Sequence, residues 1–318
     1  MAIATVLSQI ASVFFMVLLG YIANRAGWLP AESGKYLSKI VINIAAPCAV
    51  IQSITRQAMD SETVAVMLTI FGVGTATYIL SWLISAAFCE VFKVAREDRG
   101  IFQNCIIFTN NGFMGLPVAN AMFGQEGVFY LVLLNVVMLL PLYTLGVALL
   151  RRNRGLHGDR KEPFWLKLRA MLNIPIVSAL AGLAIFVLQI PIPENVNAVI
   201  DSLASMMFPL AMMTIGIQLT ASKPREVMLN HRLNAMVVFR LAVIPLVTFL
   251  LLLPFGLDRL MAGIIVLNVT FPCAAMPVAL AEEYGQNVKL AAEGTFLSTL
   301  FSMISLPIAG VLLTLYVV

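Results

Sequence analysis

Charge is what this chain has least of. Lysine, arginine, aspartate and glutamate together make up 11% of its 318 residues, while 60% are hydrophobic. That leaves too little polar surface to cover a soluble globule of this size. Histidine occurs only as His157 and His231, both at loop positions, and no GxSxG, HExxH or Walker A pattern is present. Gly72-Val73-Gly74 is followed by Thr77 where a dinucleotide fingerprint needs its third glycine. A membrane-embedded enzyme would need a nucleophile and a base that are not found here, so we expect no catalytic residues, no cofactor and no metal. Cys48, Cys89, Cys105 and Cys273 lie in apolar stretches without CxxC spacing and read as small core residues. Carboxylates are missing from the middle of the apolar runs. Glu90, Glu282, Glu283 and Glu293 fall near cytoplasmic ends and Asp201 near an outer one, which argues against a carboxylate proton relay. Sodium coupling through carbonyls and amides, proton coupling and uncoupled transport stay open.

What is there is long apolar runs. With ~20 apolar residues per crossing, the sequence reads as ten transmembrane helices, roughly 3–23, 35–55, 63–92, 101–123, 127–150, 173–190, 196–219, 232–253, 259–281 and 291–316. Met1 to Thr5 lacks a basic n-region and Asn24-Arg25 is a poor cleavage site, so the first span is expected to be retained. Basic residues cluster in alternate connections, around Arg25 to Lys39, Lys93 to Arg99, Arg151 to Arg169, Lys223 to Arg232, and at Lys289. Of the 20 lysines and arginines, only Arg56 and Arg259 fall on the other side, and Arg240 lies inside a span. By the positive-inside rule both termini are extracellular or periplasmic, and the 151–169 loop is cytoplasmic. The net charge of +4 therefore reads as topology, not nucleic-acid binding. The expected location is the cell (inner) membrane, with lipid as surroundings. The expected organisation is a first five-helix repeat over 1–150, a cytoplasmic linker over 151–172 and a second five-helix repeat over 173–318.

The repeat shows in the residues. Gly115-Leu116-Pro117-Val118-Ala119-Asn120-Ala121, then Phe123-Gly124-Gln125, resembles Ala275-Met276-Pro277-Val278-Ala279-Leu280-Ala281, then Tyr284-Gly285-Gln286. These lie in spans four and nine, and Pro47 and Pro209 match mid-span in spans two and seven. Five spans per repeat is odd, so the halves are inverted. Proline lacks an N–H and suits the first turn of a helix, so Pro117 and Pro277 are expected to open second half-helices. Gly112 and Gly115 are expected to allow unusual dihedrals before Pro117, and Pro272 with Pro277 to bracket the second break. Half-helix N-termini meeting at such breaks favour an anion. Asn110, Asn111, Asn268 and Thr270 carry amides and a hydroxyl that suit either a carboxylate or freed carbonyls.

The stretch Asn110-Asn111-Gly112-Phe113-Met114-Gly115-Leu116-Pro117 resembles the Asn-Thr-Gly-x-x-Gly-x-Pro signature of the auxin efflux carrier family, which includes plant carriers and bacterial malate- or malonate-type permeases. Asn111 stands where the family has Thr, and the long central loop of many plant members is absent. The resemblance covers nearly the whole chain. It implies an inverted-repeat fold similar to that of bile-acid sodium symporters, with crossover helices in spans four and nine. It also implies a scaffold of spans one, two, six and seven that often forms a homodimer, and a transport domain of the other spans moving like an elevator.

Other residues carry two readings. Arg240 is a substrate counter-charge or a structural, snorkelling arginine. Asn43 and Gln52, which flank Pro47, line a cavity or cap carbonyls freed by the proline. Thr295, Ser298, Thr299, Ser302 and Ser305 form a helical stripe of the kind that packs helices. The function expected is transport of a small organic anion, a malate-, malonate- or auxin-like acid. A channel or a ligand-sensing receptor using the same cavity is the alternative.

Overall fold

Proline and glycine punctuate a succession of helices among the described residues. The computed structural model describes residues 3–30, 32–56, 61–153, 174–220 and 227–317. The expected linker from 154 to 172 lies outside the described residues, as do Lys223 and Arg225. In chain order the helices are α1 (Ile3–Arg25), α2 (Ser33–Ile40), α3 (Ala46–Thr55), α4 (Ser61–Val91), α5 (Arg96–Ile107), α6 (Leu116–Pro141), α7 (Val147–Asn153), α8 (Ile174–Val187), α9 (Glu194–Ser205), α10 (Met207–Thr220), α11 (His231–Val238), α12 (Ile244–Leu252), α13 (Arg259–Thr270), α14 (Met276–Glu283) and α15 (Val288–Val317). Among the described residues, six helical stretches are long and apolar enough to cross a membrane: Ser33–Thr55, Thr63–Val91, Asn111–Arg151, Glu194–Gln218, His231–Phe255 and Val288–Val317. Val177–Val187 and Arg259–Thr270 are shorter apolar helices. The chain is an all-helical, polytopic membrane protein. Large exposed side chains such as Phe15, Leu68, Leu83, Val199 and Ile304 suit helices whose outer faces meet lipid rather than water.

Four helices contain a wide, five-residue π turn, at Val41–Ala45, Asn111–Gly115, Leu142–Gly146 and Phe239–Val243. Three of these end two residues before a proline: Pro47, Pro117 and Pro245. A proline ring clashes with the carbonyl one turn back and donates no hydrogen bond. Widening the preceding turn moves that carbonyl aside and lets the helix continue.

The chain forms two compact units. The first comprises 1–71, 112–136 and 168–222. Here α1 lies against α10 with almost no side chain between them. A Cβ on Gly20 would stand 2.1 Å from the Met213 carbonyl oxygen, and one on Gly216 would stand 2.0 Å from that of Val17. Small residues permit this closeness, which without a hydrophobic drive in lipid supplies much of the packing. Thr220 Oγ1 donates to Asn24 Oδ1 across the same pair at 2.5 Å. Gly182 of α8 packs on Ile51 and Ile54 of α3.

The second unit comprises 72–111, 137–167 and 223–318. Its core gathers Phe88, Phe102, Cys105, Ile106, Phe108, Leu142, Met236, Ile244, Val269 and Leu297. Phe88 stacks on Phe92 at 4.6 Å and meets Phe239 edge-on at 5.1 Å. Asn104 of α5 donates to the Gly146 carbonyl at 3.1 Å, and a Cβ on Gly146 would clash with the Asn104 and Phe108 side chains.

Candidate functional site

Two helices of the second unit stop in mid-run, and the freed strands meet. α5 ends at Ile107 and α13 at Thr270, and Phe108 and Phe271, the residues after them, turn extended. Thr109 and Cys273 then face each other in an antiparallel bridge. The Asn110 N–H donates to the Pro272 carbonyl at 2.8 Å, and the Ala274 N–H to that of Phe108 at 3.0 Å. Buried backbone must find partners, and here each break supplies them to the other.

Arg240, fully buried in the π turn between α11 and α12, completes the arrangement. Its Nε donates to the Phe271 carbonyl at 3.0 Å and its Nη1 to the Ile106 carbonyl at 2.7 Å. Those carbonyls sit at the C-terminal ends of α13 and α5, where the helix dipole is negative. One guanidinium thus pins both broken ends. Its Nη2 has no partner among the described residues.

The polar side chains divide into committed and free. Asn111 Nδ2 donates to Asn268 Oδ1 at 3.1 Å, and Asn268 Nδ2 donates to the Tyr78 hydroxyl at 3.4 Å. The Thr270 hydroxyl turns back to the Val266 carbonyl of its own helix at 2.8 Å. Asn110 is half-buried, and its side chain makes no hydrogen bond among the described residues. Asn43 belongs to the first unit, where it is exposed and lines a groove with Gly34, Lys39 and Gln218. The structure therefore brings together Asn110, Asn111, Asn268, Thr270 and Arg240, and places Asn43 elsewhere.

Two members of the serine and threonine stripe on α15 serve the second break. The Cys273 N–H donates to Ser298 Oγ at 3.1 Å, and Thr295 Oγ1 donates to the Ala274 carbonyl at 3.4 Å. The expectation for Gly112 and Gly115 is corrected. Neither takes a positive φ; they lie in the π turn Asn111–Gly115, and the first break falls earlier, at 108–110. The positive φ appears instead at Gly124, at +66°, and at Gly285, at +59°. Gly124 breaks the helical geometry inside α6, where a short connection between spans is expected. Tyr78 is the residue of this network that sequence reasoning missed, because nothing in the apolar run around it marks which side chain faces the break.

Comparison with known proteins places this arrangement. Residues 5–309 match the profile of the membrane transport protein family. The chain belongs to that family. This is the auxin efflux carrier family that Asn110 to Pro117 resembles, and it accounts for the absence of enzymatic motifs, since the family and the relatives found are transporters. An uncharacterized transporter of Methanocaldococcus jannaschii is 26% identical over 309 residues, covering 94% of this chain and 96% of that protein. One of Methanothermobacter thermautotrophicus is 26% identical over 304 residues, covering 96% and 97%. A Rhizobium meliloti protein named "putative malonate transporter" is 24% identical over 297 residues, covering 91% and 90%.

This member of the membrane transport protein family also carries a cavity of about 160 Å³ in its first unit, lined by Gln52, Pro117, Asn120, Gln125, Asp201 and Phe208 among others. Gln52 Nε2 donates to Asp201 Oδ1 at 2.5 Å and Arg56 Nη2 to Asp201 Oδ2 at 2.7 Å. Gln125 Nε2 donates to Gln52 Oε1 at 3.2 Å and to Asn120 Oδ1 at 3.5 Å. Gln52 stands out in the sequence by its place beside Pro47, and Pro117, Asn120 and Gln125 by their place in the repeat; nothing in the sequence joins them to Asp201.

Proposed function

We propose that the chain is a secondary transporter of a small organic anion, a mono- or dicarboxylate, working by alternating access around the paired breaks. The observation that carries this reading is the antiparallel meeting of two interrupted helices, sealed by Arg240, in a member of a membrane transport family. In hydrocarbon, irregular backbone persists only where protein or a water-filled cavity satisfies it. Crossed discontinuous helices are a recurrent way to build a substrate site at the membrane midplane.

In this reading the chain has ten spans in two inverted five-helix repeats. They are α1; α2 with α3; α4; α5 with the start of α6; the rest of α6 with α7; α8; α9 with α10; α11 with α12; α13 with α14; and α15. The antiparallel sense of the Thr109 and Cys273 pairing supports the inversion. So do Pro117 and Pro277, each the second residue of its helix, and the left-handed glycines Gly124 and Gly285 that follow them. One compact unit groups α1 to α3 with α8 to α10 and also takes in 112–136 of spans four and five; the scaffold of this reading is the part of it formed by spans one, two, six and seven. Against that scaffold the remaining spans would move as an elevator, and the homodimer implied by the family resemblance would form through it. The lysine and arginine distribution supports external termini and a cytoplasmic central loop.

The test is uptake of radiolabelled malonate into proteoliposomes, with counterflow. Saturable uptake is expected, and Asn110→Ala and Pro117→Ala should each abolish it while protein still reaches the membrane. Normal flux in both variants sinks the site assignment. Conductance without saturation points to a channel, and binding without flux to a receptor.

A further inference from the structure

The first unit carries positive charge on a groove that holds no acid to match it. The groove runs between α2 and α10 and is lined by Lys35, Ser38, Lys39, Ile42, Asn43 and Gln218 among others. The two helices meet at its base, where a Cβ on Gly34 would stand 3.2 Å from Ile217 Cγ2. Lys35 and Lys39 are four residues apart on α2 and so share a face. Both are exposed, and neither makes an ion pair or a side-chain hydrogen bond among the described residues. Neither α2, the π turn after it nor α10 contains an aspartate or glutamate, and Glu32, just before α2, does not line the groove. The polar side chains along it can all donate, as two ammoniums, a hydroxyl and the amides of Asn43 and Gln218.

The surroundings are those of a membrane surface. At 1.5 Å per residue, Lys35 and Lys39 stand ~6 Å apart along α2, close to the ~5–8 Å depth of one headgroup layer. The next turn presents Ile42, an exposed apolar side chain. Trp28, just ahead of α2, and Tyr36, between the two lysines in sequence, are both exposed, and these are the aromatic types that settle at the lipid–water boundary. A groove with charge at one end and an apolar rail beyond it matches an amphiphile better than a soluble anion.

We propose that this groove seats an anionic phospholipid of the cytoplasmic leaflet, its phosphate between Lys35 and Lys39 and an acyl chain along Ile42. Basic pockets between spans on the cytoplasmic side recur as sites for acidic headgroups. The proposal uses the cytoplasmic side given above to the connection between α1 and α2. It is independent of the transported substrate, so its failure leaves the transport reading standing.

The experiment titrates phosphatidylglycerol, phosphatidylcholine and glycerol phosphate into the purified full-length protein in detergent, with bound lipid read by native mass spectrometry and oligomeric state by size exclusion. Phosphatidylglycerol should bind about ten-fold or more tighter than phosphatidylcholine, and glycerol phosphate should not bind measurably. Each lysine beside an acidic headgroup is worth about five-fold in affinity. The double variant Lys35→Gln with Lys39→Gln should therefore weaken phosphatidylglycerol binding about ten- to thirty-fold and leave the lipid-free unfolding midpoint unchanged. Ser38→Asp, which sets a carboxylate beside the lysines, should weaken it as well and preserves the test if the double variant does not fold. Lys289→Gln, a control on the exposed lysine of α15, should change nothing. Wild-type affinity in either groove variant overturns the proposal, as does equal binding of the two lipids or an equal loss in Lys289→Gln. Binding of glycerol phosphate as tight as that of the lipid would make this a site for a soluble anion, and a groove variant that shifts the oligomeric state would make it a contact with a second copy of the chain; either result also overturns it.

Discussion

Arg240 directs its charge to main chain. An arginine inside a span is costly unless something compensates it, and two carbonyls at the negative ends of α5 and α13 do so. Lysine keeps the charge but offers a single nitrogen where the guanidinium offers a planar fork. Arg240→Lys should therefore lower stability on the order of 1–3 kcal/mol for the carbonyl left bare, and Arg240→Met should cost more. Thermal unfolding in detergent measures both; a Lys variant as stable as wild type would mean that the two bonds are dispensable. Ser298 makes the companion case. Its hydroxyl accepts the buried Cys273 N–H, so Ser298→Ala should cost about 1–3 kcal/mol, while Ser305→Ala on the same stripe, whose Oγ has no partner among the described residues, should cost little. The sequence shows the stripe, but not which rung of it meets a broken backbone.

Among the elements, the second break was legible and the first was misplaced. Pro272 and Pro277 bracket 273–276, and α13 stops at Thr270 and α14 begins at Met276. In span four the local signals, Gly112, Gly115 and Pro117, point to 112–117, yet the extended residues are 108–110. Those residues carry no breaker of their own. Their conformation is set by pairing with Pro272, Cys273 and Ala274, a tertiary contact that local propensity does not encode. The same limit applies to helix ends. α8 closes with the Ile190 N–H on the Ile185 carbonyl at 3.0 Å and the Gln189 N–H on that of Phe186 at 3.2 Å, which puts Gln189 at a φ of +50°. Glycine takes that conformation without the side-chain penalty. Gln189→Gly should raise stability by up to about 1 kcal/mol, read as a higher unfolding midpoint; a lower midpoint would mean that the glutamine side chain makes up for its strained backbone.

At the scale of the molecule, each compact unit draws on both halves of the sequence. The first combines 1–71 and 112–136 with 168–222. Composition was enough to show a polytopic helical membrane protein, because too few charges exist to make anything else. It could not show which helices touch, since an apolar helix has no distinguishable face. Glycine is the residue that gives a face away. A Cβ on Gly216 would lie 2.0 Å from the Val17 carbonyl oxygen and 2.7 Å from the Tyr21 nitrogen, both main-chain atoms that cannot swing aside. Gly216→Val should force α1 and α10 apart at a cost of about 1–3 kcal/mol or more. Gly72→Val, with open space around it, should be far milder. Comparing the two variants' unfolding temperatures and yields checks this, and equal tolerance would refute the close packing.

The pin at Arg240 also sets a schedule for synthesis. The Ile106 carbonyl that it holds is made 134 residues before Arg240 itself, and Phe271 follows 31 residues after it. At ~5–20 residues per second, Ile106 waits on the order of ten seconds for its donor. The arginine then enters the membrane with its second acceptor still unmade. Until Phe271 emerges, that part of the nascent chain must rely on water, lipid headgroups or the insertion machinery to satisfy these polar groups. A ribosome stalled between Arg240 and Phe271 should expose a chain that quality-control proteases recognise, whereas one released beyond Ser298 carries every residue of the crossing.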